Sequence, residues 1–220
     1  MIIDAALKLI NEDGLDNFTL RALAKRLGVY PTAIYWHVPG RNELLSQVVA
    51  LALQDVTPKR RNPDWRAHLK NILARLRKAI RTNPNIAPLI AVQMIANTNI
   101  SFKFLDDILS ILEQANCSGI HLVAAFNFVE ASIVGFTTQE FAGLPGSEAE
   151  VWQKQLRDRL ASVDQRRFPS LATNLPNLLD RAFSFRSLSG TERPLDDTFD
   201  LFLDAIVGGV EAMAAASLRG

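Results

Sequence analysis

The chain has 220 residues, 48 % hydrophobic and 21 % charged, with a formal net charge of +1. This suits one large folded domain or two small ones and excludes a disordered chain, which would bury too little apolar surface to offset its ordering entropy. The apolar start Met1-Ile2-Ile3 meets Asp4 at once, and Cys117 is the one cysteine, so no secretory signal, membrane span or internal disulfide is expected and the inferred compartment is a reducing cytoplasm.

Apolar residues recur at helical rather than strand spacing nearly throughout, so the expected fold is all-α. Ile3, Ala6, Leu7 and Ile10 make one face of a first helix, and Gly14 stands where a helix would stop. Thr19 is a natural N-cap for a second helix carrying Leu20, Leu23, Ala24 and Leu27 inward, closed by Gly28. Pro31 opens a short third helix, where its missing N–H costs nothing, and Val38-Pro39-Gly40 breaks it. A fourth helix runs from Arg41 or Asn42 towards Val56. The segment 57–63 reads as a linker. Beyond it, Trp65, Leu69, Leu73, Leu76 and Ile80 form a helix stripe ending at Asn83-Pro84. A short helix is expected over Leu89–Ala96, followed by Ile100–Gln114 and Ile120–Phe141. The segment 143–194 reads as a loose connection holding one or two short helices, and a last helix spans Leu195–Leu218. Ile120–Phe141 and Leu195–Leu218 are apolar on more than one face and need cover on most sides, for which a second copy of the chain is the natural candidate.

Charge is segregated along the chain. From Leu20 to Asn42 there are four basic residues (Arg21, Lys25, Arg26, Arg41) and no acidic one, whereas 82–151 carries Lys103 against seven carboxylates. One end is built to face an anion. The sharp turn between the second and third helices has helix-turn-helix geometry, in which the second helix of the pair enters the DNA major groove. On this pattern Val29 and Ile34 face the core. Pro31, Thr32, Ala33, Tyr35, Trp36 and His37 face the groove or its walls, with short side chains leading and polar tips suited to phosphates. Three-helix units with a glycine turn also occur in proteins that never touch nucleic acid, and Tyr35 and Trp36 would serve equally to wedge the third helix against the fourth.

The residues Ile3 and Ala6, Gly14, Phe18-Thr19, Leu23-Ala24, Leu27-Gly28-Val29, Ile34-Tyr35-Trp36-His37-Val38 and Leu44-Leu45 closely resemble the DNA-binding domain of the tetracycline-repressor (TetR) family. The resemblance covers about a fifth of the chain and implies a helix-turn-helix head at 1–46 and a helical ligand-binding and dimerisation body at 47–220. It implies a homodimeric transcription repressor that binds a palindromic operator and is released by a small effector. By matching positions, Arg21 reads a base, Pro31, Thr32 and Ala33 form the exposed start of the recognition helix, and Thr19, Tyr35, Trp36, His37 and Arg41 meet the DNA backbone or groove. Tyr30 is bulkier than the residue many relatives carry there, and Pro31 replaces a base-reading glutamine, so the operator is expected to differ from that of the tetracycline repressor.

The effector pocket implied by the resemblance lies in the body, where Gln93, Met94, Asn97, Phe102, Phe126, Asn127, Glu130 and Thr137 are candidate contacts. They offer a few polar groups among apolar and aromatic ones, the usual make-up of such a cavity. Few cationic residues in 82–151 favour a neutral or cationic, largely apolar effector. No cofactor is expected. Cys117 and His121 have a two-ligand spacing without a third ligand, so no metal is expected either. Asp106-Asp107 reads as a surface turn, His68 as solvated, and the basic residues of 59–81 as a solvated face. No phosphate loop or catalytic motif is present, which argues against an enzyme. The competing reading is a helical ligand-binding or scaffold protein whose head works through protein contacts.

Overall fold

The computed structural model describes residues 1–90, 101–141, 149–185 and 195–218, and among the described residues it is helical with no strand. The chain divides into two units, Met1–Phe141 with Leu203–Gly220, and Ala142–Phe202.

The first unit begins with α1 (Ile2–Asp13), α2 (Leu20–Leu27), α3 (Pro31–Tyr35) and α4 (Arg41–Ala52). α1 packs on α2 and α4, and α2 on α3. Their shared core is Ala6, Ile10, Phe18, Leu23, Ile34, Val38, Leu44, Leu45 and Val48, each almost wholly removed from water. Helix α4 stops at Ala52 rather than continuing towards Val56. The carbonyls of Asp55 and Val56 instead accept hydrogen bonds from the Arg75 guanidinium (Nε 2.9 and 3.0 Å), which fixes a turn there.

Helix α5 (Trp65–Thr82) opens on an Asp64 cap, whose carboxylate accepts from the Arg66 N–H, and buries Trp65, Leu69, Ile72, Leu73, Leu76 and Ile80. A 3-10 turn, Pro84–Ile86, follows, and 87–90 are helical; the remainder of the helix expected over Leu89–Ala96 lies outside the described residues. This turn reaches back to the head. The Asn85 side-chain amide donates to the carbonyls of Ile10 (2.9 Å) and Asn11 (3.1 Å), and the Asn11 amide donates to Asn83 Oδ1 (2.7 Å). Asn85 thus adds a second donor to the Ile10 carbonyl, which also accepts the Gly14 N–H, and supplies one to that of Asn11, from more than seventy positions away.

Helices α6 (Phe102–Gln114) and α7 (Gly119–Glu140) pack on α5 and on each other. In the last helix, α10 (Asp196–Ser217), the residues from Leu203 onward belong to the first unit and run antiparallel to α7. Ser118 bonds Ser217 through both its N–H (3.2 Å) and its hydroxyl (2.9 Å), and Gly209 lies against Phe128. A Cβ on Gly209 would fall 2.5 Å from Phe128 Cε1, so a larger residue there would require the Phe128 ring to move.

Three expectations about charge fail here. His68 and Asp107, read as solvated, are each 2 % exposed and face one another, Nε2 to Oδ2 at 3.5 Å. His68 Nδ1 accepts from the Asn62 N–H (3.3 Å), and Arg61 pairs with Asp107 (2.5 Å) and Asp106 (3.0 Å), so these side chains clip the 57–63 segment onto α5 and α6. Asp106-Asp107 is therefore helical, not a surface turn. The basic face of α5 is also not wholly solvated: Arg77 is buried in an ion pair with Glu140 of α7, Nε to Oε2 at 2.7 Å, with the guanidinium over the Phe136 ring. The exposed Arg66 and Lys70 pair instead with Glu211 and Asp204 of α10.

The second unit contains α8 (Ala149–Ala161) and α9 (Pro169–Leu178), within the one or two short helices expected there. It also contains the first turns of α10, where the Phe199 and Phe202 rings pack 6.1 Å apart.

Candidate DNA-binding head

The site is built by local signals. Thr19 holds extended backbone and its Oγ1 accepts from the Ala22 N–H (3.0 Å), starting α2, while its hydroxyl proton stays free to meet a phosphate. Gly28 ends α2 with φ +68°, a conformation an L side chain resists, and the Val29 N–H closes the turn onto the Ala24 carbonyl (3.0 Å). Pro31 then begins α3 at its first position. In α3 only Ile34 is buried, and it is wholly so; the N–H groups of His37 and Val38 both return to its carbonyl (3.0 and 2.9 Å).

That single anchor leaves the rest of the helix outward. Pro31, Thr32, Tyr35, Trp36 and His37 are exposed, Trp36 at 87 %, and Ala33 is half-buried. An indole this open is not wedged between α3 and α4, so the competing structural use of Trp36 is not what the geometry shows. Val29 was expected in the core and is 43 % exposed, because the left-handed turn at Gly28 swings it off the buried face.

Charge is arranged around this surface. Arg21 is exposed at the start of α2. Arg41, at the first turn of α4, lies over the Phe18 ring at 5.9 Å, which restricts its rotamers beside the reading surface. Arg26 is held by Glu12 through a two-point contact (Nη2 to Oε1 2.9 Å), and that hydrogen bond keeps the Glu12 carboxyl below its ordinary range. What the arrangement can do is bind a polyanion: short side chains lead, aromatic and hydroxyl tips flank them, and no carboxylate lies within Leu20–Asn42 to repel phosphate.

Residues 2–48 match the family model for bacterial regulatory proteins of the tetR family, and residues 57–214 match that for the tetracyclin repressor-like C-terminal domain. The chain belongs to the TetR family. It is a DNA-binding transcriptional regulator, not an enzyme, and the regulator reading prevails over that of a scaffold. Among TetR-family relatives, an HTH-type transcriptional regulator of Saccharopolyspora erythraea is 27 % identical over 179 residues, covering 80 % of this chain and 73 % of that protein. The class C tetracycline repressor of Escherichia coli is 27 % identical over 223 residues, covering 96 % and 90 %. Apo ActR of Streptomyces coelicolor has the same fold at a TM-score of 0.75, with 21 % identity over 98 % of this chain and 95 % of that one, and it has also been solved in complex with actinorhodin.

The candidate effector contacts scatter. Gln93, Met94 and Asn97 lie outside the described residues. Phe126 and Glu130 are half-buried on α7, and burial raises the Glu130 carboxyl above its ordinary range. Phe102 is 81 % exposed at the start of α6, and Asn127 is exposed. Thr137 is fully buried with its hydroxyl donating to the Ile133 carbonyl (2.8 Å). Cys117 precedes α7, and Ser118, Gly119 and Ile120 separate it from His121 inside the helix; burial pushes its thiol up, away from the thiolate a metal needs. Among the described residues no three His, Cys, Asp or Glu side chains gather as a metal site. Tyr30, noted from the sequence as unusually bulky but not placed among the DNA contacts, is 83 % exposed. The signal was its place immediately before Pro31.

Proposed function

We propose that this regulator is a cytoplasmic repressor that binds a palindromic operator as a homodimer and releases it on binding a small, largely apolar effector. The observation that carries the DNA half is the outward face of α3, held by one buried isoleucine while its aromatic and hydroxyl side chains stand in solvent. As contacts we assign Arg21 to a base edge, Pro31, Thr32 and Ala33 to the groove floor, and Thr19, Tyr35, Trp36, His37 and Arg41 to the walls.

A salt-titrated gel shift on the selected operator tests the assignment. Arg41→Ala should weaken binding to all sequences alike and reduce the log–log salt slope by about 1. Arg21→Ala should relax preference at one base pair, by about 1–3 kcal/mol. Binding indifferent to salt, or unchanged by both substitutions, rules out the head as the DNA contact.

Dimerisation is supported by what α7 and α10 leave uncovered. Gly119–Glu140 is long and apolar enough by length and composition to cross a membrane, with a mean hydropathy of 1.5, and 22 % of that window is buried within the chain. Its exposed residues Ile120, Ala124, Asn127 and Ala131, and Ala205, Gly208, Ala212 and Ala215 of α10, each recur at alternating spacings of four and three. That is the seam of helices packed side by side. A second copy would cover both stripes in a four-helix interface and set the two heads about 34–36 Å apart, one turn of DNA. A Cβ on Gly208 meets nothing within 4 Å inside the chain. Gly208→Trp should therefore leave the chain folded and shift sedimentation from dimer to monomer, with loss of operator binding. A wild-type particle of 24 kDa at micromolar concentration refutes the interface.

For the effector, support comes from the actinorhodin complex of the structurally similar ActR and from Phe126 and Glu130, an aromatic surface and an unusually basic carboxylate on one helix. The ligand induces only if it favours a body shape in which the heads are wrongly spaced.

A further inference from the structure

The geometry points to Tyr30 as a specificity-determining residue of this head, one that reads the C5-methyl group of a thymine; the inference rests on the DNA-binding reading above. Tyr30 occupies the N-cap of α3, with extended backbone (φ −71°, ψ 145°) and its carbonyl accepting from the Ala33 N–H (2.9 Å). An N-cap favours Ser, Thr, Asp or Asn, whose side chains satisfy a free N–H. α2 uses such a cap in Thr19, but Tyr30 supplies no capping bond. The position thus gives up helix stability and holds a large ring 83 % in water. Neither helix formation nor core packing accounts for that choice.

The rest of the reading surface says what the ring is for. Between Val29 and Pro39 the sequence holds no arginine, lysine, asparagine, glutamine, aspartate or glutamate, so α3 has no two-point hydrogen-bonding fork for a purine edge. The nearby guanidiniums are committed or lie elsewhere: Arg26 to Glu12, Arg41 over Phe18, and Arg21 on α2. Discrimination by α3 falls on apolar contact and single hydroxyls. In the major groove the apolar landmark is the thymine methyl. The leading residues of a recognition helix are those that reach base edges, and Tyr30 leads α3. Val29, the residue before it, is also 43 % exposed, so the start of α3 exposes two apolar side chains in succession.

The test uses the full chain and duplexes enriched from a random library by the wild type. Thymines are replaced by uracil one position at a time, in both half-sites together, which removes the methyl and keeps the pairing. At one symmetric position uracil should weaken wild type and Tyr30→Phe by about 3- to 10-fold while changing Tyr30→Ala by less than about 2-fold. Re-selection with Tyr30→Ala should return duplexes relaxed at that position alone. Because Tyr30 touches no core, its variants should melt with the wild type. If Tyr30→Ala keeps the wild-type uracil profile, or loses affinity equally for every duplex, Tyr30 reads no base while the DNA-binding reading stands. If the wild type enriches no duplex, that reading fails and takes this one with it.

Discussion

Glu140→Ala should lower the unfolding free energy by about 3–5 kcal/mol, read as a fall in the denaturant midpoint at fixed protein concentration. The Glu140 carboxylate holds the Arg77 guanidinium by two hydrogen bonds, and both side chains are 7 % exposed. Removing the carboxylate takes from the buried guanidinium the counter-charge it holds through both hydrogen bonds. Arg81 lies 3.4 Å from the same carboxylate but is 46 % exposed, so its own charge stays in contact with water. The size of the loss is not the worth of the pair. Arg77→Met with Glu140→Leu, which removes both charges and keeps apolar volume, should recover most of it. If Glu140→Ala costs under about 1 kcal/mol, the value of an exposed pair, the two helices are not joined as described. The pair joins α5 to α7, and α5 also carries the Arg75 that fixes the end of α4. Loosening it should therefore weaken operator binding as well as stability.

Ile34→Ala is expected to cost about 2–5 kcal/mol, the range for truncating a fully buried aliphatic side chain, with a loss of DNA affinity of at least a hundredfold. Helix α3 is five residues long, too short to persist alone, and Ile34 is its one buried side chain. Hydrogen exchange of the Val38 amide, which bonds the Ile34 carbonyl, should accelerate in the variant before amides of α5 do. If DNA affinity survives while stability falls, the recognition surface does not depend on α3 being held in place.

The head was legible because its instructions are local. A threonine cap, a glycine in the left-handed turn and a proline at the first helical position each act within four residues, and no distant partner is needed to interpret them. The body was less so. Arg77 and Glu140 are 63 positions apart, and nothing in the spacing of either names the other. Some errors were avoidable. His68 lies three residues after Trp65 and four before Ile72, and Arg77 four after Leu73 and three before Ile80, so both sit on the apolar stripe despite their polarity. A polar residue in phase with a buried face is a request for a partner. Val29 failed for another reason: helical phase was carried across Gly28, whose φ of +68° resets it. The candidate effector contacts were chosen by type rather than phase, which explains why the structure sets Phe102 on the surface and Thr137 deep inside.

The amides of Asn83 and Asn85 make the border of the DNA-reading module different in space from its border along the chain. Anyone grafting the first 46 residues onto a foreign sensor would leave these amides behind; the Asn11 carbonyl would lose the Asn85 donor, and that of Ile10 would keep only the Gly14 N–H. A transplant should carry 83–86 as well, or supply an equivalent clasp, because the module is portable only with the buckle that fastens it.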